Sequence, residues 1–240
     1  MAEGAAGQRD PDPIELLQGS QTFFPALVAA IDGARAEVRL ETYIFDFNGE
    51  AASVAAALER AGARGVATRV VVDGVGTDAL PPAWRQRFQA AGVQWCVFAP
   101  LGTMGLLLPS QWRRLHRKLC VVDGRVAFCG GINILDDFHD PHHGRLAQPR
   151  LDFAVRASGA LVSQAHEAMA QLWWRLQTAR EVRSHRFPQA FRRLRSGGLA
   201  LPWKSELGDG ADGPAPERAT LVLRDNLLNR SRIERAYRRA

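Results

Sequence analysis

The stretch LHRKLCVVDGRVAFCGGIN, residues 115–133, holds two apolar runs on either side of Asp123-Gly124. Asp-Gly favours a tight hairpin turn because both residues tolerate positive φ, so the two runs read as antiparallel neighbours. Outward from this hairpin, helical and strand patterns alternate. FFPALVAAIDGARA (23–36) has apolar groups at helical spacing, and EVRLETYIFD (37–46) is rich in β-branched and aromatic residues. AASVAAALERAGARG (51–65) then VATRVVVDG (66–74), and PPAWRQRFQAAG then VQWCVFAP, repeat the helix-strand order. DFAVRASG (152–159) adds a strand and ALVSQAHEAMAQLWWRLQTA (160–179) a long helix. This alternation predicts an α/β layered fold, and the hairpin makes its sheet mixed.

Composition narrows the class. With 240 residues, 46% hydrophobic and 23% charged, the chain is globular, which excludes collagen, coiled coil and disorder as its dominant state. No apolar run approaches the ~20 residues of a membrane span, and MAEGAAGQRDPDP is unlike a signal peptide, so the expected location is the cytosol. Cys96, Cys120 and Cys129 are too scattered for a disulfide framework or a zinc site and read as reduced core residues. A net charge of +6 predicts a polyanionic partner, either nucleic acid or anionic lipid. Nearly all the positive charge is arginine. Lys118 and Lys204 are the only lysines.

Lys118 sits in the deciding stretch. A strand period of two puts His116 and Lys118 on one face, with Leu115, Arg117 and Leu119 on the other. A neutral imidazole is a nucleophile or general base near pH 7, and a cation beside it can hold a phosphate oxygen and stabilise charge developing on phosphorus. Gly130 and Gly131 permit a close approach to an anion, and the Asn133 amide can donate to the same oxygens.

His116-x-Lys118, Asp123 and Gly130-Gly131-x-Asn133, in this spacing, resemble the HKD motif of the phospholipase D superfamily. LETYIFDFNG (40–49), GVATRVVVDGVGT (65–77), RRLHRKLCVVDGRVAFCGGINILDD (113–137) and LDFAVRASG (151–159) are similar to bacterial cardiolipin synthases in particular. The resemblance spans about residues 14–180 and continues weakly from 219 to 240. It implies a mixed-sheet α/β/α sandwich of the phospholipase D type and a metal-free reaction without cofactor. In that reaction His116 attacks phosphorus to form a phosphohistidine, and Lys118 and Asn133 hold the phosphoryl oxygens. Asp123 completes the motif, although hairpin geometry alone accounts for it. Asp152 matches the acid that in relatives fixes the tautomer of the motif His. Glu41, with Gly130 and Gly131, is a candidate for substrate binding.

The chain departs from that family in one respect: cardiolipin synthases carry two HKD motifs, and here no other His is followed by Lys two residues on. The expected organisation is a catalytic half (1–195), a Gly/Pro-rich linker (196–217) and the opening strand and helix of a second, truncated half (218–240). The resemblance implies a phosphatidyl transferase acting on phosphatidylglycerol, peripheral on the inner face of the cell membrane, that needs a second HKD half in trans or a homodimer. A homodimeric phosphodiesterase or nuclease and an inactive lipid-binding half are the alternatives, with no nucleic acid in the leading reading. APLGTMGLLLPSQW (99–112) reads as an interfacial anchor or a loop folded on the core, and residues 175–195 carry seven Arg against one Glu. HDPHH (139–143) reads as solvated loop rather than metal ligands, DGVGTD (73–78) as a plain turn, and Trp173-Trp174 as core packing.

Overall fold

A computed structural model of the chain describes residues 14–77, 79–100, 114–140 and 144–183, with side chains to Arg180. Its main sheet has seven strands: β1 (Ile14–Gln18), β2 (Glu37–Thr42), β3 (Ala67–Asp73), β4 (Gln94–Phe98), β5 (Leu119–Val122), β6 (Val126–Gly130) and β9 (Phe153–Ser158). Their spatial order is β1-β9-β6-β5-β2-β3-β4. β2, β3 and β4 run parallel, and every pairing from β2 through β5, β6 and β9 to β1 is antiparallel. The mixed sheet follows from the expected hairpin: Val122 pairs with Val126, and Asp123 (φ 51°) and Gly124 (φ 62°) take the left-handed conformations of the turn. A small ribbon of β7 (His139–Asp140) and β8 (Gly144–Arg145) stands apart.

Alternation along the strands splits the interior into two layers. Val38, Leu40, Val70, Val72, Cys120, Val122 and Phe128 face one side, where α1 (Gly19–Asp32) and α2 (Ala51–Ala63) bury Phe24, Leu27, Ile31, Val54 and Leu58 against them, with α3 (Pro82–Ala90) alongside. Leu119, Val121 and Ala127 face the other side, under Val162, Ala165 and Met169 of α4 (Ala160–Arg183). Leu115, Val71 and Cys96 lie beneath Trp173, which is core as its spacing predicts, whereas Trp174, one helical step round, is 42% exposed and not core. The α/β/α sandwich is therefore as expected.

The differences are local. The expected strand 37–46 stops at Thr42, because the chain turns out of the ladder and residues 44–46 bond to Ile134 instead. The first helix begins at Gly19, four residues before the apolar pattern at 23, because the N–H groups of Gly19 and Ser20 are satisfied by the Asp152 carbonyl and the Asp137 carboxylate. β1 was not expected at all. The anchor segment 99–112 beyond Pro100, the arginine-rich stretch beyond Arg183, the linker 196–217 and the opening of a second half at 218–240 lie outside the described residues. Among the described residues no helix is long and apolar enough to cross a membrane.

Candidate active site

The strand directions bring the ends of β1, β2, β3, β4 and β6 and the starts of β5 and β9 to one edge of the sheet. His116 and Lys118 lie at this edge, in the extended segment that enters β5 rather than on the strand itself. Their shared face is as the period of two predicts: Leu115 and Leu119 are buried on the α4 side, His116 is exposed, and Lys118 Nζ lies 3.2 Å from His116 Nε2. An ammonium has only donors, so in this contact Nε2 is the acceptor and the imidazole is neutral. Burial, and then the Lys118 charge, hold the His116 pKa below its ordinary value, against the opposing pull of Asp73. Burial pushes Lys118 down to about 8, while Asp152 and Asp73 act to keep its proton. At neutral pH the pair is a neutral imidazole beside a cation.

The Tyr43 ring closes one side of the pair, 5.1 Å from the imidazole and 5.4 Å from the Lys118 ammonium. Asn133 sits opposite the end of β2. Its Oδ1 accepts from the Ile44 N–H (3.1 Å) and the Thr42 hydroxyl (3.4 Å), which leaves its Nδ2 donor without a partner among the described residues. Asp152 precedes β9 and directs its field at Lys118. Its Oδ1 accepts the Phe153 N–H at 2.8 Å. The hydrogen bond to His116 expected of Asp152 is not among its contacts.

Three further expectations are placed differently. The glycine pair admits protein rather than an anion: a Cβ on Gly130 would lie 2.4 Å from the Ala154 Cα, and one on Gly131 would lie 2.0 Å from Asp152 Oδ1. Glu41 does not face the site. It alternates onto the α4 side, where it is 1% exposed and its carboxylate lies 2.8 Å from the Arg117 guanidinium. Burial pushes its pKa up to about 7 despite Arg117. Asp123 lies at the opposite end of β5, about 16 Å of strand from Lys118. Its carboxylate accepts the N–H groups of Arg35, Ala36 and Glu37 at 2.8–2.9 Å, which fastens the α1–β2 connection to the hairpin.

Sequence reasoning missed Asp73 and Tyr43. Asp73 is fully buried and accepts the Leu115 N–H at 2.7 Å, the residue before His116. The available signal was its place at the carboxyl end of a parallel strand, where open α/β sheets build their sites. Among the described residues no cluster of His, Cys, Asp or Glu could hold a metal ion, and of HDPHH only His139 and Asp140 are described.

Residues 27–140 match the family model for the phospholipase D-like domain of cardiolipin synthase. Over 96% of its length the chain is also 30% identical to cardiolipin synthase B of Salmonella typhi. The chain belongs to the phospholipase D superfamily. It is 33% identical to cardiolipin synthase A of Pseudomonas putida (strain GB-1) over 67% of this chain and 33% of that protein. It spans about half the length of cardiolipin synthase B, 51% for the Salmonella typhi protein. Among solved structures, the phospholipase D family member Nuc from Salmonella typhimurium aligns over 68% of this chain and 94% of that one, with 18% identity and a TM-score of 0.47. Of the residues singled out in the sequence, His116, Lys118 and Asn133 are the ones that the fold brings to one edge of the sheet.

Proposed function

We propose that this chain supplies the His116 half of a phosphatidyl transferase of the cardiolipin synthase type. The observation that carries the reading is the exposed, neutral His116 held 3.2 Å from the Lys118 ammonium at the sheet edge. His116 Nε2 attacks the phosphorus of phosphatidylglycerol. An Nε2–P bond forms, the P–O bond to glycerol breaks, and the departing oxygen takes a proton. A lipid alcohol then attacks the phosphohistidine, its oxygen bonding to phosphorus as the Nε2–P bond breaks and its proton passing back to the group that protonated the departing oxygen. Lys118 and the Asn133 Nδ2 donate to the phosphoryl oxygens, where charge builds. No metal or cofactor is required.

The leaving oxygen needs an acid, and His116 cannot attack and protonate in the same step. A general acid is worth ~10² to 10⁴ in rate, so the proton comes from a second His-x-Lys motif, either on another half in trans or on a second copy of this chain. Exposed Val75, Leu151 and Phe153 border the site edge and support contact with lipid, as expected of a protein peripheral on the inner face of the cell membrane.

The test is transfer between phosphatidylglycerol molecules in vesicles, followed by lipid chromatography, with the full chain alone and mixed with a chain carrying a second motif. Trace activity alone, transfer on mixing and loss of that transfer in H116A are expected. Robust turnover by a proven monomer contradicts the need for a second acid. Cleavage of nucleic acid in place of lipid transfer favours the homodimeric nuclease.

A further inference from the structure

Asp73 ends β3, is fully buried, and has no part in the chemistry proposed above. Its carboxylate makes two kinds of contact. Oδ1 accepts the N–H groups of Val75 (2.8 Å) and Gly76 (3.2 Å), as an aspartate at the head of a turn does. Oδ2 accepts the Leu115 N–H at 2.7 Å, across 42 residues of chain and one residue before His116. A turn needs only the first kind.

The same turn touches the site from a second side. A Cβ on Gly76 would lie 2.5 Å from the Tyr43 carbonyl oxygen and 2.7 Å from its ring, so the turn is packed directly against Tyr43. The Thr77 hydroxyl donates to the Tyr43 carbonyl (2.8 Å) and accepts the Phe45 N–H (3.1 Å). Tyr43 in turn lies against the His116 imidazole. His116 is thus bracketed by one turn, through the backbone at Leu115 and through the ring of Tyr43.

Charge adds a third connection. The groups that face the pair are Arg114 from its own segment, Asp152 from the chain entering β9, Tyr43 from the exit of β2, and Asp73 from the end of β3. Asp152 acts on Lys118, whereas Asp73 acts on both His116 and Lys118. The Arg114 guanidinium, 3.8 Å from Asp73 Oδ1, leans on the same carboxylate. A fixed carboxylate behind an imidazole favours the positive charge that the ring acquires when its nitrogen bonds to phosphorus.

We propose that Asp73 is a positioning residue for the His116–Lys118 pair, holding the backbone that enters the pair and placing a fixed negative charge behind it. The proposal rests on the reading of that pair as the phosphoryl-transfer centre, so its test observes the pair directly as well as through turnover.

The test uses the full chain with isotope-labelled histidine. The His116 ring resonances, assigned with H116N, are titrated in the wild type, D73N and D73E. D73N retains an acceptor oxygen and loses the charge, so its His116 midpoint is expected below that of the wild type, with D73E closer to the wild type. The Leu115 amide of the wild type, although it lies outside the ladder, is expected to exchange slowly with solvent. A folded D73N whose His116 midpoint matches the wild type, or an unprotected Leu115 amide in the wild type, overturns the proposal. If D73N does not fold, the Leu115 amide decides alone. Where the wild type transfers lipid, D73N should lose about 100-fold in kcat with KM unchanged, the cost of a misplaced nucleophile. A wild type without turnover even when mixed with a chain carrying a second motif sinks the transferase reading and leaves the titration result standing.

Discussion

The Arg117 guanidinium lies 2.8 Å from the Glu41 carboxylate, so the residue between His116 and Lys118 is tied to a buried acid on the far face of the sheet. Glu41 alternates with Leu40 and Thr42 on β2, and the same alternation turns it onto the sheet face opposite the His116–Lys118 pair.

Glu41 is raised from 4.5 to about 7, chiefly by burial. The folded state therefore binds its proton more tightly than the unfolded state. The stability linked to that proton is fully present below pH 4.5 and is lost as pH rises through 7. E41Q carries no titrating proton, so its stability relative to the wild type should climb between pH 4.5 and 7 and level off above. The climb should total on the order of 3 kcal/mol at about 1.4 kcal/mol per pH unit. Urea denaturation at pH 4, 5, 6, 7 and 8 measures it. A difference that does not vary with pH would show that Glu41 titrates like an exposed acid.

Asp123 is the opposite case. Burial opposes its charge, but the N–H groups of Glu37, Ala36 and Arg35 outweigh burial and hold its pKa below the usual carboxylate range. Its contribution is present at neutral pH and is lost as pH falls through that lowered pKa. D123A, which also puts alanine at a positive φ, should cost about 1–3 kcal/mol at pH 7. D123N keeps one acceptor oxygen and tolerates the left-handed conformation, so it should cost less. The gap between wild type and D123N should narrow as pH falls from 3.8 through that lowered pKa. If D123A retains full stability, the three N–H groups are satisfied by solvent and the anchor is unimportant.

What was legible in the sequence was local. The hairpin at Asp123-Gly124 and the helix-strand alternation depend on neighbours in the chain, and so does the shared face of His116 and Lys118. What was not legible depends on partners far away. β1 is a five-residue, mostly exposed edge strand whose only ladder among the described residues is with β9, about 140 residues on, so no periodicity marks it. Asp73 looked like the head of a plain turn, which it is, because its other partner, Leu115, lies in a different segment. The two glycines do mark a close approach, but of Ala154 and Asp152 and not of the anion their sequence suggests. Which group approaches depended on where β9 begins.

That difference between the glycines can be tested. The obstacle at Gly130 is the Ala154 backbone in the β6–β9 ladder, whereas at Gly131 it is the end of the Asp152 side chain. A backbone in a ladder cannot yield without breaking its pairing, but a carboxylate can rotate away. G130A should therefore destabilise by about 1–3 kcal/mol or more, and G131A by less. G131A should instead move Asp152 and weaken its hold on the Lys118 proton. Thermal melts of the two variants rank them, and the reverse order would mean that Asp152 is fixed more firmly than the strand.

Asp152 and Lys118 set the alkaline limit of the proposed chemistry. Lys118 is lowered from 10.5 to about 8 by burial, with Asp152 and then Asp73 acting in the opposite direction. Its ammonium is the cation offered to the phosphoryl oxygens, so transfer should fall as pH rises through about 8, while the neutral His116 remains available. D152N removes the larger of the two negative fields on Lys118, and its pKa should drop further. The alkaline limb of the D152N pH profile should then begin at lower pH than in the wild type, with the acid limb, set by His116, in place. Nitrogen-detected titration of the Lys118 side chain reports the same shift without turnover, and Lys118 is easily assigned because Lys204 is the only other lysine. An unmoved Lys118 midpoint in folded D152N would assign its charge balance to Asp73 alone, and a moved acid limb would mean that Asp152 acts on His116 after all.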